Sequence, residues 1–352
     1  MSKKNLLILF GGQSSEHAIS CMSAMNVIKN VDQELYNLVL VGITESGHWV
    51  YVENLAEIES GSWKQSTVNA VLSPDATKKT LYLIDSLRTR EIPIDVAFPV
   101  LHGLYGEDGT VQGIFELARI PYVGCGVLSS AISMDKIFTK IVVEKEKIRQ
   151  AKYVAIHRSE LSNITKAAEK VEASLPYPVF VKPSCAGSSC GVNKAVDRES
   201  LIRALREADH HDSKILVEET IVGRELECAV FGTSDRVFTT GVGEIIAAAE
   251  FYDFDAKYNN SASKTETSPD LPEGVEKEIQ EKAEKVFRAV GGFSMARVDF
   301  FLDKDGVVFN EINTIPGFTA ISMYPMLFEK MGYSKKQLVQ DLIATAACRR
   351  EH

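Results

Sequence analysis

The chain carries no long apolar run, no surplus of basic charge, no cysteines at ligand spacing and no common glycine-rich nucleotide fingerprint. Each absence closes off a class of function. The run Leu6-Leu7-Ile8-Leu9-Phe10 stops at Gly11-Gly12, too short for a signal-peptide core or a bilayer span. It is expected to be a buried strand of a cytoplasmic protein that has no membrane association. A net charge of −9 gives no broad basic field for a phosphate backbone, and no local basic patch replaces it, so nucleic acid is not an expected partner. Cys21, Cys125, Cys185, Cys190, Cys228 and Cys348 form no CxxC and no Cys/His zinc spacing, which points to reduced thiols. No Walker A motif occurs, and Gly124-Cys125-Gly126 has Ser129 where a GxGxxG needs its third glycine, so a Rossmann dinucleotide site finds little support.

What is present is a globular α/β chain. At 352 residues, 45% hydrophobic and 25% charged, it is long enough for two or three domains and free of repeats or low-complexity tracts. Asn5 to Phe10, the turn Gly11 to Ser15 and a helical pattern through Ile28 give strand, turn, helix order. Leu38 to Ile43 and Val96 to Leu101 are further short apolar runs, which suit parallel strands with crossover helices. We assign this α/β domain to residues 1–124. A helix from Ser129 to Lys152 opens a central domain, 125–221, with strands at Pro178 to Lys182, Gly191 to Val196 and Ile215 to Glu219. Residues 222–352 complete the chain, with strands near Glu225 to Phe231 and Thr239 to Ile246. A polar stretch from Phe251 to Pro272 is expected to be a mobile loop, followed by a helix from Glu273 to Gly291.

The most informative stretch is a ribbon near the end. Met295 to Phe301 and Val307 to Asn313 flank the turn cluster Asp303-Lys304-Asp305-Gly306, which suits a three-residue loop with a G1 bulge. With Asp305 at its centre, Asp299 faces Glu311 and Arg297 faces Asn313, and all four share one face while Val298, Phe300 and Ile312 point away. Opposed carboxylates about 5 Å apart repel unless a cation lies between them. Three oxygen donors without a soft ligand suit magnesium that also holds substrate phosphates.

Other segments carry weaker signals. Lys182 ends a strand just before a small-residue loop, Gly187-Ser188-Ser189-Cys190-Gly191, whose backbone amides could close over phosphate oxygens. Glu218-Glu219 ends a strand at a position from which it could meet an adenine and ribose. Glu16 enters the first helix, as a helix-start acid or as the partner of an amine. His102 stands in a glycine-rich loop at the carboxyl end of Val96 to Leu101, where α/β folds collect ligands.

Together these residues resemble the D-alanine–D-alanine ligase family of ATP-grasp enzymes, including its vancomycin-resistance D-alanine–D-serine and D-alanine–D-lactate relatives. The resemblance runs almost the whole chain. It rests on Phe10 to Glu16, His102 to Gly113, Met134-Asp135-Lys136, Val181-Lys182-Pro183 with Gly187-Ser188-Ser189, Ala256-Lys257-Tyr258 and Asn310 to Thr319. It implies a three-domain architecture with nucleotide bound between the central and C-terminal sheets. The implied reaction is ATP-dependent: a D-alanine carboxylate takes the γ-phosphoryl group, and the amine of a second D-alanine, or of D-serine, displaces phosphate.

The same resemblance assigns roles. Lys136, Lys182 and Ser189 would hold the nucleotide phosphates, and Glu218, Glu219, Ile221 and Glu225 its adenosine end. Asp299, Glu311 and Asn313 would bind two Mg2+ or Mn2+ ions. Arg297 and the Gly317 amide would stabilise the tetrahedral intermediate. Glu16 would take the first ammonium, Ser322 and Lys257 the second carboxylate, with His102 also at the substrate site. Glu16, Ser188 and Tyr258 would fasten a mobile loop over the reactants, and a homodimer is implied. Two departures stand out. Cys185-Ala186 replaces an Arg-Glu pair common before the glycine/serine loop, and the segment Asn259 to Thr265 is unusual. Tyr258, where lactate-selective relatives commonly have histidine, favours an amine nucleophile.

Overall fold

The computed structural model describes residues 3–187, 190–233, 235–246 and 264–349. Its first sheet contains β1 (Lys4–Gly11), β2 (Tyr36–Ile43), β3 (Trp49–Val52), β4 (Asn69–Leu72), β5 (Thr80–Ile84), β6 (Thr89–Pro93) and β7 (Val96–Leu101). Their order is β6-β5-β4-β3-β2-β1-β7. The apolar run of β1 lies centrally, parallel to β2 on one side and β7 on the other. Leu6, Ile8 and Phe10 enter one core and Leu7 and Leu9 the opposite one, as a strand covered on both faces requires. The parallel expectation holds only for this half. β3 to β6 extend the sheet antiparallel; being short and half exposed, they lack the continuous apolar signature that marks β1 and β7.

A second, four-stranded sheet contains β8 (Tyr153–His157), β9 (Val179–Pro183), β10 (Asn193–Ala195) and β11 (Lys214–Glu219), in the order β10-β9-β11-β8. The third contains β12 (Arg224–Gly232), β13 (Val237–Ile246), β14 (Lys264–Glu266), β15 (Ser294–Asp303) and β16 (Gly306–Asn313), in the order β14-β13-β12-β15-β16. The polar stretch expected as a loop thus includes an edge strand, β14; residues 251–263 lie outside the described residues. The helix expected from Ser129 to Lys152 is two helices, Val127–Met134 and Lys136–Lys145. Asp135 separates them because its extended backbone ends the first, while its carboxylate accepts the Ile137 and Phe138 amides and so caps the second.

The three sheets are tied together. Met323, Leu338, Leu342 and Ile343, from the last two helices, share a core with Leu6, Ile8 and Phe10 of the first sheet. The link between the second helix of the pair and β8 is bonded to the third sheet: the Phe309 amide donates to the Arg149 carbonyl (2.8 Å), and the Arg149 guanidinium forks onto Asp303 at 2.8 and 2.7 Å. Among the described residues no helix is long and apolar enough to cross a membrane.

Close packing under β2 gives a direct test of the first core. A Cβ at Gly42 would stand 2.4 Å from the Trp63 ring, and that ring is fully buried. Gly42→Ala is expected to cost about 1–3 kcal/mol through overpacking, read as a lower urea midpoint at unchanged slope; an unchanged midpoint would show that the ring moves aside freely.

Candidate active site

The ribbon of β15 and β16 forms one wall of a cleft of about 560 Å³ between the second and third sheets. The facing pairs are those expected, Asp299 with Glu311 and Arg297 with Asn313, but they arise differently. The hairpin closes through Lys304-Asp305, with Asp303 paired to Gly306 and Phe300 to Phe309. The register then shifts by one before Asp299 and Glu311 meet, so the extra residue, Asn310, sits beside the cleft rather than at the turn.

Charge compensation on this face comes first from the protein itself. The Arg297 Nε and Nη2 groups donate to the Asp299 carboxylate at 2.8 and 2.7 Å, and Asn313 Nδ2 donates to Asp299 Oδ2 at 3.0 Å. Lys136 Nζ lies 3.7 Å from Glu311. Sequence reasoning missed Glu227, which stands opposite Asp299 on β12 with Oε2 3.1 Å from Arg297 Nε. Its signal was the alternation Glu225, Glu227 along one strand face. Burial works against the Arg297 charge, but Asp299 and then Glu227 outweigh it and raise its pKa further.

The opposite wall carries the lysines. Lys136 opens its helix directly after Asp135, which also accepts from Ser184 Oγ at 2.6 Å and pairs with Lys214. Lys182 on β9 lies 2.7 Å from Glu218 Oε2, and Lys140 reaches Glu218 Oε1 at 2.6 Å. Burial alone would raise the Glu218 pKa; Lys182 and Lys140 instead bring it down to about 2. Lys140 was not anticipated, although it follows Lys136 at the i,i+4 spacing that places two side chains on one helix face. Glu219, Ile221 and Glu225 line the cleft beyond Glu218, and Glu219 Oε1 accepts the Lys152 amide at 2.8 Å.

Loops from the first sheet close the remaining side. Glu16 lines the cleft, with its Oε2 2.8 Å from where a Cβ at Gly187 would lie. Glu107, from the loop flagged by its histidine and glycines, accepts the Gly103 and Ile315 amides at 2.8 and 3.0 Å. Burial, and then the charge of Glu16, push its carboxyl from an ordinary 4.5 to about 8. His102 is buried, with Nδ1 3.0 Å from the Ile315 carbonyl and Nε2 3.2 Å from Ser23 Oγ, which also accepts the Phe318 amide. A carbonyl cannot donate, so Nδ1 carries the proton. Gly317 abuts Ser322, whose Oγ accepts the Thr319 amide at 2.9 Å. Arg297, His102, Gly317 and Ser322 do not themselves line the main cleft. Ser188, Ser189, Lys257 and Tyr258 lie outside the described residues.

No cluster of three or more His, Cys, Asp or Glu side chains suited to a metal occurs among the described residues. Asp299, Glu311 and Asn313 supply two carboxylates and an amide. Such an all-oxygen set beside two lysines fits a hard divalent ion shared with phosphate oxygens, not a soft metal held by protein alone.

Comparison with known proteins agrees with this arrangement. The family model described as D-ala D-ala ligase N-terminus matches residues 5–125, and the one described as D-ala D-ala ligase C-terminus matches residues 142–344. The D-alanine–D-alanine ligase of Caldicellulosiruptor bescii is 47% identical over 98% of this chain and 96% of its own length, and that of Acetivibrio thermocellus is 47% identical over 99% and 96%. Among solved structures, the VanG D-Ala:D-Ser ligase from Enterococcus faecalis superposes with a TM-score of 0.89 at 38% identity, covering 98% of this chain and 100% of that one. The D-alanine–D-alanine ligase from Coxiella burnetii gives 0.84 at 32% identity, covering 99% and 95%. Sheets and cleft are thus those of an ATP-grasp enzyme. The chain belongs to the D-alanine–D-alanine ligase family.

The raised Glu107 pKa makes stability pH-dependent. A carboxyl that binds its proton more tightly when folded adds stability that is complete below its ordinary 4.5 and is lost as pH rises through about 8. Thermal melts of the ligand-free protein should therefore show this loss between those limits, and Glu107→Gln should remove that slope whatever its absolute stability. Parallel slopes in the two proteins would refute the assignment.

Proposed function

We propose that the protein joins two D-alanine molecules at the expense of ATP, making a dipeptide precursor of the cell wall through an acyl phosphate. The observation that carries this reading is the pair of facing walls, with Lys136 and Lys182 on one and Asp299, Glu311 and Asn313 on the other. A carboxylate resists amine attack because its oxygen is a poor leaving group, and phosphorylation removes that obstacle. Lys136 and Lys182 hold the transferred phosphoryl group in line, while Glu218, Glu219, Ile221 and Glu225 take the adenosine end. Asp299, Glu311 and Asn313 hold two Mg2+ or Mn2+ ions, which when bound neutralise phosphate charge.

Glu16 takes the ammonium of the first amino acid, and the second carboxylate binds at Ser322 and Lys257. Arg297 and the Gly317 amide stabilise the oxyanion formed when the second amine attacks. Clamped by Asp299 and Glu227, the guanidinium is oriented before the charge appears, which is the arrangement that lowers a barrier. Ser188 and Ser189 cover the phosphates, and Tyr258 with Glu16 and Ser188 fastens the closing loop, excluding water from the acyl phosphate. His102 supports the substrate site from beneath through Ile315. The enzyme acts in the cytoplasm as a homodimer, with units at 1–124, 125–221 and 222–352.

D-serine as second substrate is the other reading, supported by the 0.89 TM-score to the VanG D-Ala:D-Ser ligase. Phosphate release from ATP and Mg2+ with D-alanine alone, then with D-serine added, separates the two. Rapid turnover on D-alanine with no mixed product is the expected result; a mixed dipeptide as the main product would establish the other reading. Glu311→Gln is expected to lower kcat about 100-fold or more with the fold intact. Near-normal turnover would overturn the metal assignment.

A further inference from the structure

Three side chains that the ligase reaction does not use meet beside the nucleotide cleft. Cys190 Sγ lies 3.6 Å from His211 Nδ1. His211 Nε2 in turn lies 3.4 Å from Glu207, one turn earlier on the helix Arg198–His211. The backbone is shaped for this approach. Gly191 follows Cys190 at φ +71°, and a Cβ there would stand 2.5 Å from His211 Cδ2, so a larger residue would push the ring away. A thiol, an imidazole within reach of its proton and a carboxylate behind that imidazole form the sequence of groups that activates a nucleophilic cysteine.

Cys185, five residues earlier, shows the opposite environment. Burial, and then the Asp212 carboxylate, push its thiol up to about 12, so it stays protonated and inert. The two thiols thus differ in partner, an imidazole for Cys190 and a carboxylate for Cys185. We propose that Cys190 is a histidine-activated thiol, modified by low-molecular-weight disulfides on the loop that borders the nucleotide cleft.

In the reaction, the Cys190 thiol gives its proton to His211 Nδ1, and the resulting thiolate attacks one sulfur of the disulfide. A new S–S bond forms as the old one breaks, and the departing thiolate takes the proton from His211. The Cys190 sulfur rises by one oxidation number as the departing sulfur falls by one, so the exchange needs no other oxidant. The adduct would be felt at the cleft because the Cys190 amide donates to the Gly187 carbonyl at 3.1 Å, and Gly187 lines the cleft against Glu16. Only this last consequence rests on the nucleotide-site reading above.

The test is a time course of the full chain with glutathione disulfide, followed by peptide mass spectrometry. Cys190 should acquire the mixed disulfide about tenfold faster than the exposed Cys348, and His211→Gln should slow Cys190 by a similar factor while leaving Cys348 unchanged. Cys185 should remain free, and its labelling in the variant would report a disturbed fold, in which case the ratio of Cys190 to Cys348 in the unaltered protein decides. Equal rates at those two thiols, or a Cys190 rate indifferent to His211, would overturn the proposal. Modification should also raise the KM for ATP several-fold, reversibly with dithiothreitol and not in Cys190→Ser. An unchanged KM would overturn the coupling to the cleft, whereas absence of any ATP turnover in the unmodified protein would count against the ligase reading and leave the Cys190 chemistry to the labelling rates.

Discussion

One guanidinium holds the charged face of the third sheet together. β12, β15 and β16 bring Glu227, Asp299 and Glu311 to adjacent strand positions, an array of like charges that would not stay buried by itself. Arg297 lies between the two buried ones and Lys136 faces the partly exposed third, so each charge on the face has a partner of opposite sign. The same solution recurs across the cleft, where Lys140 and Lys182 share Glu218. Both walls therefore present fixed charges whose cost has been met during folding, which is the condition for electrostatic preorganisation.

The glycine-rich turns and the loop after β16 perform a second task. Glu107 bonds to Gly103 in its own loop and to Ile315 in the distant one, and His102, Ser23, Ile315 and Phe318 form a parallel chain of hydrogen bonds. Two segments more than 200 residues apart in sequence are thereby joined beside the cleft. Neither connection involves an exposed ion pair, so neither is weakened by salt.

How much of this was legible beforehand depended on the range of the forces involved. Strand alternation is local, so the shared face of Arg297, Asp299, Glu311 and Asn313 could be read directly, even though the offset that aligns them lies at Asn310 instead of the turn. The helix break at Asp135 is also encoded locally, in a residue whose carboxylate caps the helix that follows it. β3 to β6 were invisible for a different reason: short strands that are covered on one face carry too few residues for a pattern to emerge. Glu227, Glu107 and Lys140 owe their importance to partners on other elements. Their roles follow from tertiary proximity, which no spacing rule supplies.

The bond between Arg149 and Phe309, with the Arg149 fork on Asp303, has a mechanical meaning. It fastens the strand that carries Glu311 to the stretch of chain leading out of the Lys136 helix, so one flank of the cleft behaves as the spine of a book. Parting the two walls along that edge would first require these bonds to break.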